Sequence, residues 1–270
     1  MGRTFYKMSG SGNDFIIVDA TTEGRGSLGE VTTIRTVCAR ATGIGADGVV
    51  FLERSDAADF RMTYLNSDGS PAELCGNASL CSARLAVELG IVRKDEFTVE
   101  TDAGILKARM LANGPEVDLE PVSDIQPSMP IRREQGERWI GFALVGVPHL
   151  VVRVDDVSTV NLMSRGRLLR YDASLAHGAN VNFVSPASVG DGWRVRTFER
   201  GVEGETLACG TGSVATAILL AEAGEAAGRV AIHTRSGRVL TVRMKWVPRG
   251  WLPSLSGEAR LVFQGQFGEL

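Results

Sequence analysis

Residues 209–224 read CGTGSVATAILLAEAG, and residues 75–90 read CGNASLCSARLAVELG. Laid over one another, the two stretches share the cysteine, the glycine after it, a small-residue start, Glu88 with Glu222, and a closing Gly90 with Gly224. In the later copy Val214, Ala217, Ile218 and Ala221 recur at helical spacing. The closing glycine is a helix stop signal. Cys75 and Cys209 therefore each stand at or just before a helix N-terminus, where unpaired backbone N–H groups and the positive end of the dipole meet. A thiol in that place has a lowered pKa and suits proton transfer. One such cysteine is more often merely packed. Two in the same setting point to a shared role.

The repeat extends outward at a nearly constant offset, and a period of this kind is decisive for the fold. FTVETDAGILKARM matches VAIHTRSGRVLTVRM, FRMTYLN matches WRVRTFE, GADGVVF matches GANVNFV, and NDFIIV loosely matches PHLVVR. Phe15–Val18 and 60–65 read as strands, 31–41 as a helix, and 97–110 as two strands around a turn. The chain is expected to be an α+β protein of two pseudo-symmetric halves, 1–122 and 123–270, joined near the Pro-rich stretch Pro121–Pro130. Each half is a mostly antiparallel sheet around a long central helix. Equivalent loops of two such halves meet at a cleft, a preferred ligand site. The active site is expected there.

Composition narrows the function. A chain of 270 residues with net charge −3, 44% hydrophobic and 23% charged residues is an ordinary globular protein without a nucleic-acid footprint. The first residues have no apolar signal-peptide core, and the longest apolar run, 142–152, is too short to span a bilayer. No membrane association is expected, and four cysteines are expected to be reduced thiols in the cytoplasm. GIGADG at 43–48 spells a dinucleotide fingerprint, but it follows a helix and precedes a strand, the reverse of what that site requires. No metal is expected, because His149, His177 and His233 are scattered and no cysteine pair has zinc spacing.

Two equivalent thiols answer one chemical need in particular. Inverting a stereocentre takes a proton from one face of a carbon and delivers another to the opposite face. Two monoprotic groups, one per face, do this without moving. Two helix N-termini also form an anion site suited to an α-carboxylate and to the charge that grows on it in the transition state. A disulfide or a redox pair fits less well, since there is no C-x-x-C.

The motifs KMSGSGNDF, GIGADG, NSDGSPAELCGN, GVPH, GANVNF, ERG, ETLACGTG and TRSG run in order along the whole chain, and together they resemble the diaminopimelate epimerase family. The resemblance implies a cofactor-independent isomerase that interconverts LL- and meso-2,6-diaminoheptanedioate, a precursor of lysine and peptidoglycan, and it implies a homodimer. The alternative is a related racemase or epimerase for another amino acid. The resemblance assigns Cys75 and Cys209 as the acid/base pair, with His149 and Glu199 assisting proton movement. It assigns Asn13, Asn66, Gly76, Asn77, Asn180, Glu199, Arg200, Gly210 and Thr211 to substrate binding, with Arg200 on the distal carboxylate. Departures from the common pattern are Ala78 and Leu80 in CGNASLC, expected to change local packing, Val147 in place of a polar contact before Pro148, and Ala39, expected to be structural.

Overall fold

Phe15, Ile16, Ile17 and Val18 are all fully buried, so their strand is covered on both faces. A sheet covered on both sides needs helices on both sides, and the computed structural model supplies them. It describes residues 2–72, 74–187 and 190–268. The chain divides into two units, one running to Asp118 and resuming at Ser256, the other Leu119–Leu255.

In the first unit β1 (Thr4–Gly10) and β2 (Asn13–Asp19) are antiparallel. Helix α1 (Val31–Cys38) leads to β3 (Gly48–Glu53), parallel to β2. Next come β4 (Phe60–Asn66), antiparallel to β3, and the short β5 (Pro71–Ala72), antiparallel to β4. Helix α2 (Gly76–Glu88) then crosses to β6 (Glu96–Thr101), parallel to β4. β7 (Gly104–Leu111) and β8 (Gly114–Asp118) follow as an antiparallel meander.

The second unit opens with β9 (Ile125–Gln126) and then repeats the scheme. β10 (Glu137–Val145) and β11 (Val147–Val154) are antiparallel, hinged at Gly146 with φ 67°. Helix α3 (Leu162–Arg170) leads to β12 (Asn180–Pro186), parallel to β11. β13 (Trp193–Glu199) is antiparallel to β12, and the short β14 (Gly204–Thr206) is antiparallel to β13. Helix α4 (Gly210–Glu222) crosses to β15 (Arg229–His233), parallel to β13, and β16 (Val239–Val247) is antiparallel to β15. β17 (Gly250–Ser256) follows. The sequence of parallel and antiparallel pairings is the same in both units.

One piece lies outside that symmetry. β18 (Arg260–Gln266) pairs antiparallel with β1, which is why residues from Ser256 on belong to the first unit. The sequence reading drew one boundary, after residue 122. The Pro-rich stretch near it is held within the second unit, where Val122 bridges Trp251 and Ile125–Gln126 pair with β10.

The layers follow from alternation along the strands. Ile16, Val18, Val49 and Phe51 pack with Ile34 and Val37 of α1 in one core. Leu150, Val152, Val181 and Phe183 pack with Leu162 and Leu169 of α3 in the corresponding core of the second unit. The opposite faces of the two sheets carry α2 and α4. Both of these are buried along nearly their whole length, and burying each of Ile218, Leu219 and Leu220 contributes about 1.5–3 kcal/mol.

Candidate active site

The two central helices begin alike. Cys75 is the N-cap of α2 with φ −133° and ψ 114°, and Cys209 is the N-cap of α4 with φ −132° and ψ 114°. The serine four residues on bonds back in each case. Ser79 N–H and Oγ–H donate to the Cys75 carbonyl at 2.9 and 3.0 Å, and Ser213 N–H and Oγ–H donate to the Cys209 carbonyl at 3.0 and 2.9 Å. Both helices close on a glycine at φ 71°, Gly90 and Gly224, a conformation that favours glycine.

Burial separates the four cysteines. Cys75 and Cys209 are half-buried, whereas Cys38 and Cys81 are buried. Burial pushes the Cys38 thiol up to about 11, and burial, with Cys75 and Glu258 nearby, pushes Cys81 higher still. Those two thiols are inert packing groups. Leu80 is fully buried, so this departure from the common motif is a packing residue.

The start of α2 is tied, through Asn77, into a network of amide and charged groups. Asn77 Nδ2 donates to Asn13 Oδ1 at 2.8 Å, and Asn13 Nδ2 donates to Asp47 Oδ2 at 3.0 Å. Both ends of the Asn13 amide are therefore held. Arg40 bridges Asp47 at 2.6 Å and Asp14 at 2.8 Å, and Lys7 reaches Asp14 at 2.6 Å. Burial raises the Asp14 carboxyl, but hydrogen bonds from Arg40 and Lys7 outweigh it and hold it below the usual carboxylate range. Asn66 ends β4 and is tied to Ser70, its Nδ2 donating to Ser70 Oγ at 3.1 Å.

Beside Cys209 stand a backbone amide and a hydroxyl. Gly212 N–H donates to Cys209 Sγ at 3.3 Å, and Thr211 Oγ1 lies 3.6 Å from the same sulfur. His149 Nε2 is 3.0 Å from Thr211 Oγ1, so the histidine reaches the sulfur by way of that hydroxyl. His149 is fully buried, and burial, aided by the positive charge of Arg200, pushes its pKa down to about 3. It is a neutral imidazole at neutral pH. Asn180 lies opposite His149 in the β11–β12 register, and its Oδ1 accepts from the Arg200 backbone N–H at 2.7 Å. Glu199 ends β13 beside Arg200. Glu205, in the motif before Cys209, is a structural brace: Arg196 binds both its oxygens, at 2.7 and 3.0 Å, and lowers its pKa.

Sequence reasoning missed two members of this group. Asn182 is fully buried between His149 and Thr197, and Arg40 clamps Asp14 and Asp47. Asn182 in the otherwise apolar run VNFV is a legible signal. Among the described residues no cluster of histidine, cysteine or carboxylate side chains has metal-holding geometry, and no helix is long and apolar enough to cross a membrane.

A family model described as diaminopimelate epimerase matches residues 5–124 and 141–251. A diaminopimelate epimerase of Gemmatimonas aurantiaca is 44% identical, over 99% of this chain and 100% of that protein. One from Aquifex aeolicus is 41% identical, over 98% of each. The chain belongs to the diaminopimelate epimerase family. Its members are isomerases by name, and two of the motifs that carried the resemblance, NSDGSPAELCGN and ETLACGTG, lead into the cysteine-capped helices. The fold is shared more widely. A PhzF-family phenazine biosynthesis protein of Bacillus anthracis aligns over all of both chains with a TM-score of 0.79 at 16% identity. A hydroxyproline epimerase of Agrobacterium vitis aligns over 98% of this chain and 92% of its own with a TM-score of 0.69 at 18% identity.

Proposed function

We infer that this chain epimerises 2,6-diaminoheptanedioate between its LL and meso forms, with Cys75 and Cys209 as the two proton-transferring groups and no cofactor. The observation that carries the reading is the identity of the two N-caps: two half-buried thiols, on matching backbone, at the starts of matching helices. One sulfur, as thiolate, takes the α-proton from one face, and the other, as thiol, gives its proton to the opposite face. The reverse reaction exchanges the roles. The α-carboxylate gains negative charge as the carbanion develops. The first N–H groups of each helix, at Gly76 and Asn77 and at Gly210 and Thr211, have no intrahelical acceptor and suit that charge. Asn13, Asn66, Asn180 and Glu199 line the substrate in this reading. Arg200, its backbone fixed by Asn180, takes the distal carboxylate and so selects a diacid. The neutral His149 steadies Cys209 through Thr211 and carries no positive charge at neutral pH.

The protein works with reduced thiols, in the cytoplasm, as a homodimer. Free cysteines and membership of the family support this part of the reading. The test is incubation with the LL isomer in heavy water. Meso product carrying solvent deuterium at the inverted α-carbon is expected. Exchange without inversion would overturn the two-base scheme, and inertness toward diaminopimelate alongside turnover of another amino acid would overturn the substrate.

A further inference from the structure

The hydrogen bonds behind Cys209 have a direction, and one residue sets it. Asn182 Nδ2 is 3.1 Å from the Leu150 carbonyl oxygen and 3.2 Å from His149 Nδ1. A carbonyl only accepts, so the amide nitrogen, not the oxygen, must face that corner. On its other side Asn182 Oδ1 accepts from Thr197 Oγ1–H at 2.9 Å, and the Leu150 carbonyl fixes the amide against a flip. All of Asn182, His149 and Leu150 are buried at 0% exposure, and Thr197 at 3%, so water does not substitute for any of these partners.

We propose that Asn182 is a positioning residue: it holds His149 in the Nε2–H form and thereby orients a chain of donors that ends on the Cys209 sulfur. With Nδ1 accepting from Asn182, the single proton of the neutral imidazole sits on Nε2. Nε2–H donates to Thr211 Oγ1. The threonine hydroxyl, its oxygen occupied by that bond, turns its own proton toward Cys209 Sγ. Gly212 N–H arrives at the same sulfur from the helix. Two donors converging on one sulfur hold it as an acceptor, the form that removes a proton. The close fit of α4 onto this group is visible at Gly212, where a Cβ would lie 2.3 Å from Asn182 Oδ1 and 3.2 Å from Cys209 Sγ. In the first unit Val49 stands where Asn182 does in the aligned strands, and Asp14 where His149 does, so these two links of the chain are not repeated there. The kinetic consequence rests on the epimerase reading, whereas the tautomer does not.

The experiment is nitrogen NMR of the protein labelled with 15N-histidine, the His149 signals being identified by their absence in His149→Gln. Across neutral pH, His149 is expected to show an unprotonated Nδ1 and a protonated Nε2. A protonated Nδ1, or an imidazolium titrating near neutral pH, would overturn the proposal even if no variant could be made. In Asn182→Asp the carboxylate replaces the donor by an acceptor of the same shape, and Nδ1 is expected to become protonated. The epimerisation kcat should then fall at least about tenfold with KM little changed, part of the ~10²–10⁴ a positioned acid/base group supplies. Loss of kcat with the wild-type tautomer retained would make Asn182 a merely structural residue and would refute the assignment. An Nε2–H tautomer that switches in Asn182→Asp, in a protein that does not epimerise diaminopimelate, would refute the proposed reaction and uphold the role of Asn182.

Discussion

The starts of α2 and α4 are the same piece of backbone in two electrostatic settings. Their N-cap dihedrals agree within one degree, and their serine back-bonds agree in length within about a tenth of an ångström. What lies behind them differs. Asp14 and Asp47, clamped by Arg40 and Lys7, stand in the first unit where His149 and Asn180 stand in the second. Side-chain charge is free to diverge while strand pairing is not, because a register slip turns every buried residue to the wrong face. The difference teaches that a repeat preserves the place from which a group acts and leaves its chemistry to be tuned locally.

The most direct way to break the comparison is to remove either cap. Cys75→Ala and Cys209→Ala are each expected to reduce epimerisation by more than the ~10²–10⁴ typical of one acid/base group, since the proposed two-base scheme gives each thiol one face to serve. Near-normal turnover by either variant, followed by product stereochemistry, would end the equivalence. Arg200→Met should weaken the diamino diacid by about 1.5–3 kcal/mol, the range for hydrogen bonds to charged groups. An unchanged KM would remove Arg200 from the distal carboxylate.

Smaller effects sharpen the contrast in packing. Gly212 and Ala78 occupy the third position of their helices, yet a Cβ at Gly212 meets Asn182 Oδ1 at 2.3 Å while Ala78 already carries one. Gly212→Ala is expected to cost about 1–3 kcal/mol by overpacking, and Ala78→Gly about 0.5–1 kcal/mol by added backbone freedom. Equal costs in urea unfolding would show that the two helix starts are packed alike. Proton linkage gives the last difference. His149 has a folded pKa of about 3 against an unfolded value of 6.5. Between those values the unfolded chain binds the extra proton, so stability rises with pH there, by at most about 1.4 kcal/mol per pH unit, and is fully present above the unfolded value. His149→Gln should flatten that slope in urea midpoints measured across the window. An unchanged slope would mean that the histidine is not held neutral.

Much of this was legible in the residues. Cysteine, glycine and the closing Gly90 and Gly224 mark both helices because caps are written locally, within one or two turns. The strands around them were legible as continuous apolar runs, Phe15–Val18 above all. Partner choice over long distance was not. Nothing in RLVFQGQ says that β18 lies on β1, since strand pairing is fixed by what remains unpaired after the rest has folded. The strand at 148–153 was legible through its match to NDFIIV, but the hairpin within 142–152 was not, since its turn at Gly146 depends on a positive φ that the sequence does not advertise by a usual turn pair. The direction of hydrogen bonds at Asn182 was equally hidden, because it comes from a carbonyl on a neighbouring strand. Arg40 clamps two aspartates from a loop, and spacing alone gives no hint of that.

The pairing of β18 with β1 also sets a timetable for synthesis. The second unit is one uninterrupted stretch, Leu119–Leu255, and all of it is synthesised before residues 260–266 are made. The first unit is begun first and finished last, with the outer edge of β1 waiting for β18. The earlier-born half of the repeat is therefore the later to be completed, and the nascent chain carries an open strand edge for nearly the whole of its translation.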